Sequence, residues 1–124
     1  GSVCAPLEEH LIFMKSLVEG KIIKKETLKR MIDDDIYMGF PTLGFRYDYS
    51  IWKPVTIPLL MPEKYSCWGC VGVTGAFMFY HPSTKSHIIG TFNDSSYRAK
   101  SLQFMISKVI KELIKIDNMK KENF

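Results

Sequence analysis

The residue types able to do chemistry gather between positions 67 and 93. Cys67-Trp68-Gly69-Cys70 is a Cys-x-x-Cys, His81 and His87 follow it, and Gly72 and Gly75 punctuate the apolar run between them. A Cys-x-x-Cys performs thiol-disulfide exchange when a helix N-terminus depresses the pKa of its first thiol. Here Cys70 is followed by Val71-Gly72-Val73-Thr74-Gly75 and then Ala76-Phe77-Met78-Phe79-Tyr80, which carries no helical pattern. In an extended chain the two thiols would also point to opposite faces, so the sequence argues against redox exchange. Two cysteines followed by two histidines also approach the spacing of a zinc finger. Pro82 directly after His81, and the bulky run from Phe77 to Tyr80, do not suit the helix that presents histidines in such a finger. The plainer alternative puts both histidines at a hairpin turn in contact with water. Three cysteines, an odd number, do not make a disulfide framework.

The elements that must position these residues are legible from periodicity. Residues 76–80 and 87–93 are strand-like and flank the turn formers His81-Pro82-Ser83-Thr84-Lys85-Ser86, so they predict a β-hairpin on which the fold is built. Upstream, Pro6 and Glu8-Glu9 mark a helix start, Leu7, Leu11, Met14 and Val18 form its stripe beside Phe13 and Leu17, and Gly20 stops it. A shorter helix over 25–32 carries Leu28, Met31 and Ile32 and ends at Asp33-Asp34-Asp35. Those aspartates suit a solvated helix end better than a calcium loop, which interleaves its ligands around a glycine turn. Short strand-like pieces follow at 39–40 and 43–47. Pro54, Pro58 and Pro62 then predict an irregular connection over 51–61, neither helix nor central strand, with Ile51, Trp52, Val55, Ile57, Leu59 and Leu60 packed down. After Asp94-Ser95-Ser96, which offers N-caps, Leu102, Met105, Ile106, Val109, Ile110, Leu113 and Ile116 recur at helical spacing, and 117–124 is expected to fray.

With 124 residues, 46% hydrophobic and 24% charged, the chain is long enough to bury a core as one domain over 1–124, with no repeat or linker to divide it. The net charge of +4 comes mostly from lysines spread along helix-like segments, a pattern of solvated faces that argues against nucleic acid as a partner. No apolar run reaches the roughly twenty residues of a bilayer span, so no transmembrane segment is expected.

Several of these segments together resemble the penicillin-recognising serine hydrolases, the family of class C β-lactamases, D-alanyl-D-alanine carboxypeptidases and related esterases. The stretch from Gly69 to Pro82 and on through Ile88-Ile89-Gly90-Thr91-Phe92-Asn93 looks like the family's third-motif strand and the strand after it. Residues 6–31 resemble its helix pair, 39–47 its Tyr-Gly-Leu-Gly-Phe strand, and 95–115 its C-terminal helix. The resemblance implies that Cys70-Val71-Gly72 occupies the Lys-Thr-Gly or His-x-Gly triplet, so Cys70, Gly72 and Val73 would be the catalytic positions. The Val73 N–H would complete the oxyanion hole, a role any side chain permits. Val71, Thr74 and Gly75 would line the substrate, with Gly72 and Gly75 allowing close approach.

Two departures accompany it. Cys70 has neither the charge of lysine nor the basicity of histidine. Ser-x-x-Lys occurs only as Ser50-Ile51-Trp52-Lys53, in the proline-rich connection rather than at a buried helix start, and Tyr-x-Asn does not occur. The expectation is therefore the C-terminal portion of a serine hydrolase whose N-terminal region, with the nucleophile, is missing. It would act on a small-molecule amide or ester in the parent enzyme, need no cofactor and be inactive alone. The alternative is a non-catalytic binding or assembly module, with zinc as its candidate metal. The expected fold is α+β, an antiparallel sheet of three to four strands, part of a β-lactamase-like fold. A C-terminal helix lies on one face, with the N-terminal helices at an edge or end. Truncation is expected to expose the strand face of Phe77, Phe79 and Ile89, or the opposite one, and to drive homo-oligomer formation. Cys70 is expected to be the fastest thiol to alkylate.

Overall fold

The computed structural model of the chain describes residues 3–34, 36–37, 44–56, 59 and 61–124, with the backbone alone at Ile36 and Tyr37. Two helices come first, α1 (Leu7–Val18) and α2 (Lys25–Asp33). Gly20 ends α1 as expected. Its φ is +79°, a left-handed value that glycine adopts without cost, and it lets the Lys21 N–H reach the Ser16 carbonyl at 2.8 Å and its own N–H reach Leu17 at 3.1 Å. At the end of α2, Asp33 pairs with Lys29 and Asp34 lies 3.9 Å from Arg30, so these two aspartates end a solvated helix. Asp35 lies outside the described residues.

The chain then runs as an antiparallel meander in which neighbours in sequence are neighbours in space: β1 (Ile36–Tyr37), β2 (Phe45–Asp48), β3 (Ile51–Pro54), β4 (Trp68–Val71), β5 (Phe77–His81) and β6 (Ser86–Gly90). The fold is α+β, and the sheet is wider than the three or four strands expected. One added strand is β3, where the prolines predict an irregular connection. Pro54 stands at its last position, opposite Phe45, so the strand is complete before proline removes a donor. Its partner β2 is joined to it through Tyr49 and Ser50, whose φ values of 44° and 65° are those of a two-residue hairpin turn. Another strand gained is β4, which the sequence merged with the run leading into β5. The expected strand at Gly39-Phe40 and the packing of Ile57 and Leu60 lie outside the described residues. Leu59, expected to pack down, is fully exposed.

Both faces of the sheet are covered, because alternate residues of each strand feed two cores. Phe77, Phe79 and Ile88 pack with Cys67 against Leu102, Met105, Ile110 and Ile114 of the C-terminal helix. Trp68, Met78, Tyr80 and Ile89 face the other way, against Met14 of α1 and Leu28 of α2. The N-terminal helices thus cover a face rather than an edge, and Phe77 and Phe79 are buried at 9% and 0% exposure, not uncovered. Full burial of a side chain such as Phe79 stabilises by about 1.5–3 kcal/mol, and two such layers hold the sheet in place.

The C-terminal helix is continuous but not uniform. It opens with Asp94 accepting the Ser96 N–H at 2.8 Å, runs as α3 (Arg98–Phe104), widens to a π-helical turn (Met105–Ile110) and continues as α4 (Lys111–Glu122). The π turn accommodates an extra residue in the helical repeat. Leu102, Met105 and Ile110 are buried as expected and Ile106, Val109 and Leu113 pack half-buried against them, but Ile114, outside the expected stripe, is buried and Ile116, within it, is 49% exposed. The tail is helical to Glu122 rather than frayed, with Lys121 and Asp117 paired at 2.6 Å. Among the described residues no helix is long and apolar enough to cross a membrane.

Candidate functional site

The residues singled out in the sequence, 70–75, form the end of β4 and the turn into β5. Cys70 lies opposite Met78 and Val71 opposite Phe77, and Gly72 closes the hairpin by donating its N–H to the Ala76 carbonyl at 2.7 Å. The Gly75 N–H reaches back to the Gly72 carbonyl at 3.2 Å, and Gly75 has φ +72°. This is a three-residue hairpin loop of the kind that needs a left-handed glycine at its last position.

The turn is clamped from outside by the connection between β6 and the C-terminal helix. The Phe92 N–H donates to the Gly75 carbonyl at 3.3 Å and the Asp94 N–H to the Thr74 carbonyl at 2.9 Å. A Cβ on Gly75 would stand 3.3 Å from the Asp94 carbonyl oxygen, so this glycine fits beneath the clamp as well as making the turn. None of these bonds involves the Val73 N–H, and Val73 itself is 65% exposed. A main-chain donor is thus carried on an exposed residue of a loop fixed by the bonds of Gly72, Thr74 and Gly75.

Cys70 and Val71 point to opposite faces. Val71 packs into the core beside the C-terminal helix, which leaves only its main chain for a ligand. Cys70 shares the α1/α2 face with Met78, its cross-strand partner, and is half-buried; burial pushes its thiol up. At neutral pH it is a neutral thiol that neither fixes an anion by charge nor serves as a base. Thr74 is exposed at the tip of the turn.

The competing metal and redox readings separate on geometry. Cys67 and His81 lie on the C-terminal-helix face, Cys70 and His87 on the α1/α2 face. His81 is fully buried and engaged at both nitrogens: Nε2 donates to the Lys64 carbonyl at 2.8 Å, and Nδ1 lies 2.7 Å from Thr84 Oγ1. It ties the 63–65 turn to the β5–β6 connection and is not a wet turn histidine. His87 lies tilted against Tyr80 with ring centroids 5.0 Å apart, and burial together with Lys15 lowers its pKa. Among the described residues no three His, Cys, Asp or Glu side chains come together to hold a metal. The Cys67 thiol is pushed up to about 12 by burial, the reverse of what an exchanging thiol requires, and the cysteines are free.

Ser50 sits at φ 65° in the β2–β3 turn, with no helix behind it. Lys53, the other end of its Ser-x-x-Lys, reaches the Ile32 carbonyl at 3.2 Å at the C-terminal end of α2. The clamp residues Phe92 and Asp94 carry no chemical signature that would connect them to the loop from sequence. The loop itself has one, Gly72-x-x-Gly75, whose glycines belong to a turn rather than to a strand. Comparison with protein-family models, with curated proteins and with solved structures finds no match to this chain.

Proposed function

We propose that this chain is the C-terminal portion of a serine hydrolase of the penicillin-recognising type, supplying one wall of the cleft and an oxyanion-binding main-chain donor. The observation that carries the reading is the clamped 72–76 loop, in which Val73 is exposed and its N–H takes no part in the bonds that fix the loop. Preorganised N–H donors stabilise the charge that develops on a carbonyl oxygen during acyl transfer because they need no reorganisation in the transition state. The nucleophile would come from a region that carries Ser-x-x-Lys. The substrate would be an amide or ester, bound with less help from charge than in relatives with lysine or histidine at the position of Cys70.

Incubating the chain with a chromogenic cephalosporin, a p-nitrophenyl ester and a labelled penicillin tests this directly. The expected result is neither turnover nor a covalent adduct. An adduct on Ser50 would overturn it.

The second reading, a non-catalytic assembly module, is favoured by a different observation: the meander ends in a regular strand, β6, with no further strand paired to it among the described residues.

A further inference from the structure

The two edges of the sheet are unlike. β1 is two residues long, whereas β6 pairs with β5 in unbroken register from Ser86 opposite His81 to Gly90 opposite Phe77. Natural sheets blunt an exposed edge with charge, proline, a bulge or brevity. Ser86-His87-Ile88-Ile89-Gly90 has no proline, no lysine and no bulge. Every second residue of this strand turns its N–H and C=O outward, and the edge is open for another strand.

Beside that edge runs a groove of about 530 Å³, lined by Phe77 and Ile88 of the sheet and by Phe104, Val109 and Leu113 of the C-terminal helix. The π turn shapes this groove. Unbroken α-helical spacing would place Val109, Leu113 and Ile116 in the core stripe. The extra residue puts Ile114 beside Ile110 at the buried positions and leaves Val109 and Leu113 half-buried at the margin of the core, where with the exposed Ile116 they form a second concavity with Lys108 and Glu112. The groove has an apolar floor, and Lys108 and Glu112, one helical turn apart, line the adjoining concavity that shares Val109 and Leu113 with it.

We propose that two copies of the chain pair through β6, antiparallel about a two-fold axis normal to the sheet. Such an axis keeps the two C-terminal helices on the same face, side by side and antiparallel. Val109 and Leu113 of one copy then meet Leu113 and Val109 of the other, and Lys108 meets Glu112 twice over, the self-complementarity that an isologous interface requires. Glu112 already accepts from Lys115 at 2.7 Å, and a carboxylate has room for a second donor. An unrelated strand would satisfy the edge, but Lys108 and Glu112 match a second copy of themselves. This pairing is independent of the hydrolase reading, because it uses none of residues 70–75.

Sedimentation equilibrium between about 1 and about 100 µM, the range in which a moderate dimer dissociates, is the test. The wild-type chain should dimerise. Lys108→Glu and Glu112→Lys should each weaken the dimer about tenfold or more, and an equimolar mixture of the two variants should restore it as a heterodimer. Independently of any variant, exchange of the outward β6 amides should slow as wild-type concentration rises. A wild-type monomer across the range, a dimer indifferent to both charge reversals, or β6 amides whose exchange ignores concentration would each overturn the proposal.

Discussion

Gly69 lies across from Phe79 at so short a separation that a Cβ on it would stand 2.7 Å from the Phe79 Cα, and closer still to the Met78 carbonyl oxygen. The central residue of the Cys-x-x-Cys is thus glycine because two backbones meet there. A Cβ at Gly90 would also be crowded, but by the Phe77 ring at 2.7 Å, which is able to tilt. Gly69→Ala should therefore cost about 3 kcal/mol and Gly90→Ala about 1 kcal/mol. Urea unfolding of the two variants checks the order, and equal losses would contradict it.

Thiol reactivity should follow burial. Cys4 is exposed, Cys70 half-buried and Cys67 without exposure. Iodoacetamide should label them in that order, which reverses the expectation that Cys70 reacts first. Mass spectrometry of a time course reads it out, and Cys70 leading would mean its side chain is far more open than its half-buried position in β4 allows.

Cys67 also sets a pH window. Burial raises its thiol from 9.0 to about 12, so above pH 9 the unfolded chain has released this proton while the folded chain still holds it. Stability contributed by the neutral thiol is complete below about 9 and is lost as pH rises toward 12. The stability difference between wild type and Cys67→Ala should shrink across that window and stay constant between pH 6 and 8. A constant difference up to pH 11 would contradict the burial.

Much of the scaffold was legible in the sequence because it rests on local signals. The 3.6-residue periodicity and Gly20 located α1, and the turn formers between Tyr80 and His87 located the β5–β6 hairpin. What escaped depends on neighbours. β3 is hidden because a proline at the last position of a strand reads in sequence like one that breaks it. In the C-terminal helix the stripe holds through Ile110, but Ile114 rather than Ile116 is buried, because a π turn leaves the residue types unchanged and moves only their phase. At the candidate site, residues 70–75 were located but not the clamp from Phe92 and Asp94, whose contribution is purely main chain.

The π turn makes a prediction of its own. Deleting the exposed Ser107 removes the extra residue and should give an unbroken α-helix that keeps Ile110 and Ile114 in the core. Thermal unfolding should stay within a few degrees of wild type, about 1 kcal/mol or less. A cooperative transition lost altogether would show that the π geometry itself is required for folding.

The Val73 N–H is the group on which the functional reading turns, and proline removes it cleanly. Val73 is the second residue of the 72–75 turn, a place where proline fits the backbone, and its N–H takes no part in the loop's bonds. The decisive measurement is kcat on a p-nitrophenyl ester for the longer protein carrying both this chain and a Ser-x-x-Lys helix, comparing Val73→Pro with Val73→Ala. The account predicts that Val73→Ala stays near wild type while Val73→Pro falls about a hundredfold or more, the loss of one oxyanion donor, with KM little changed. Equal kcat in the two variants would contradict it.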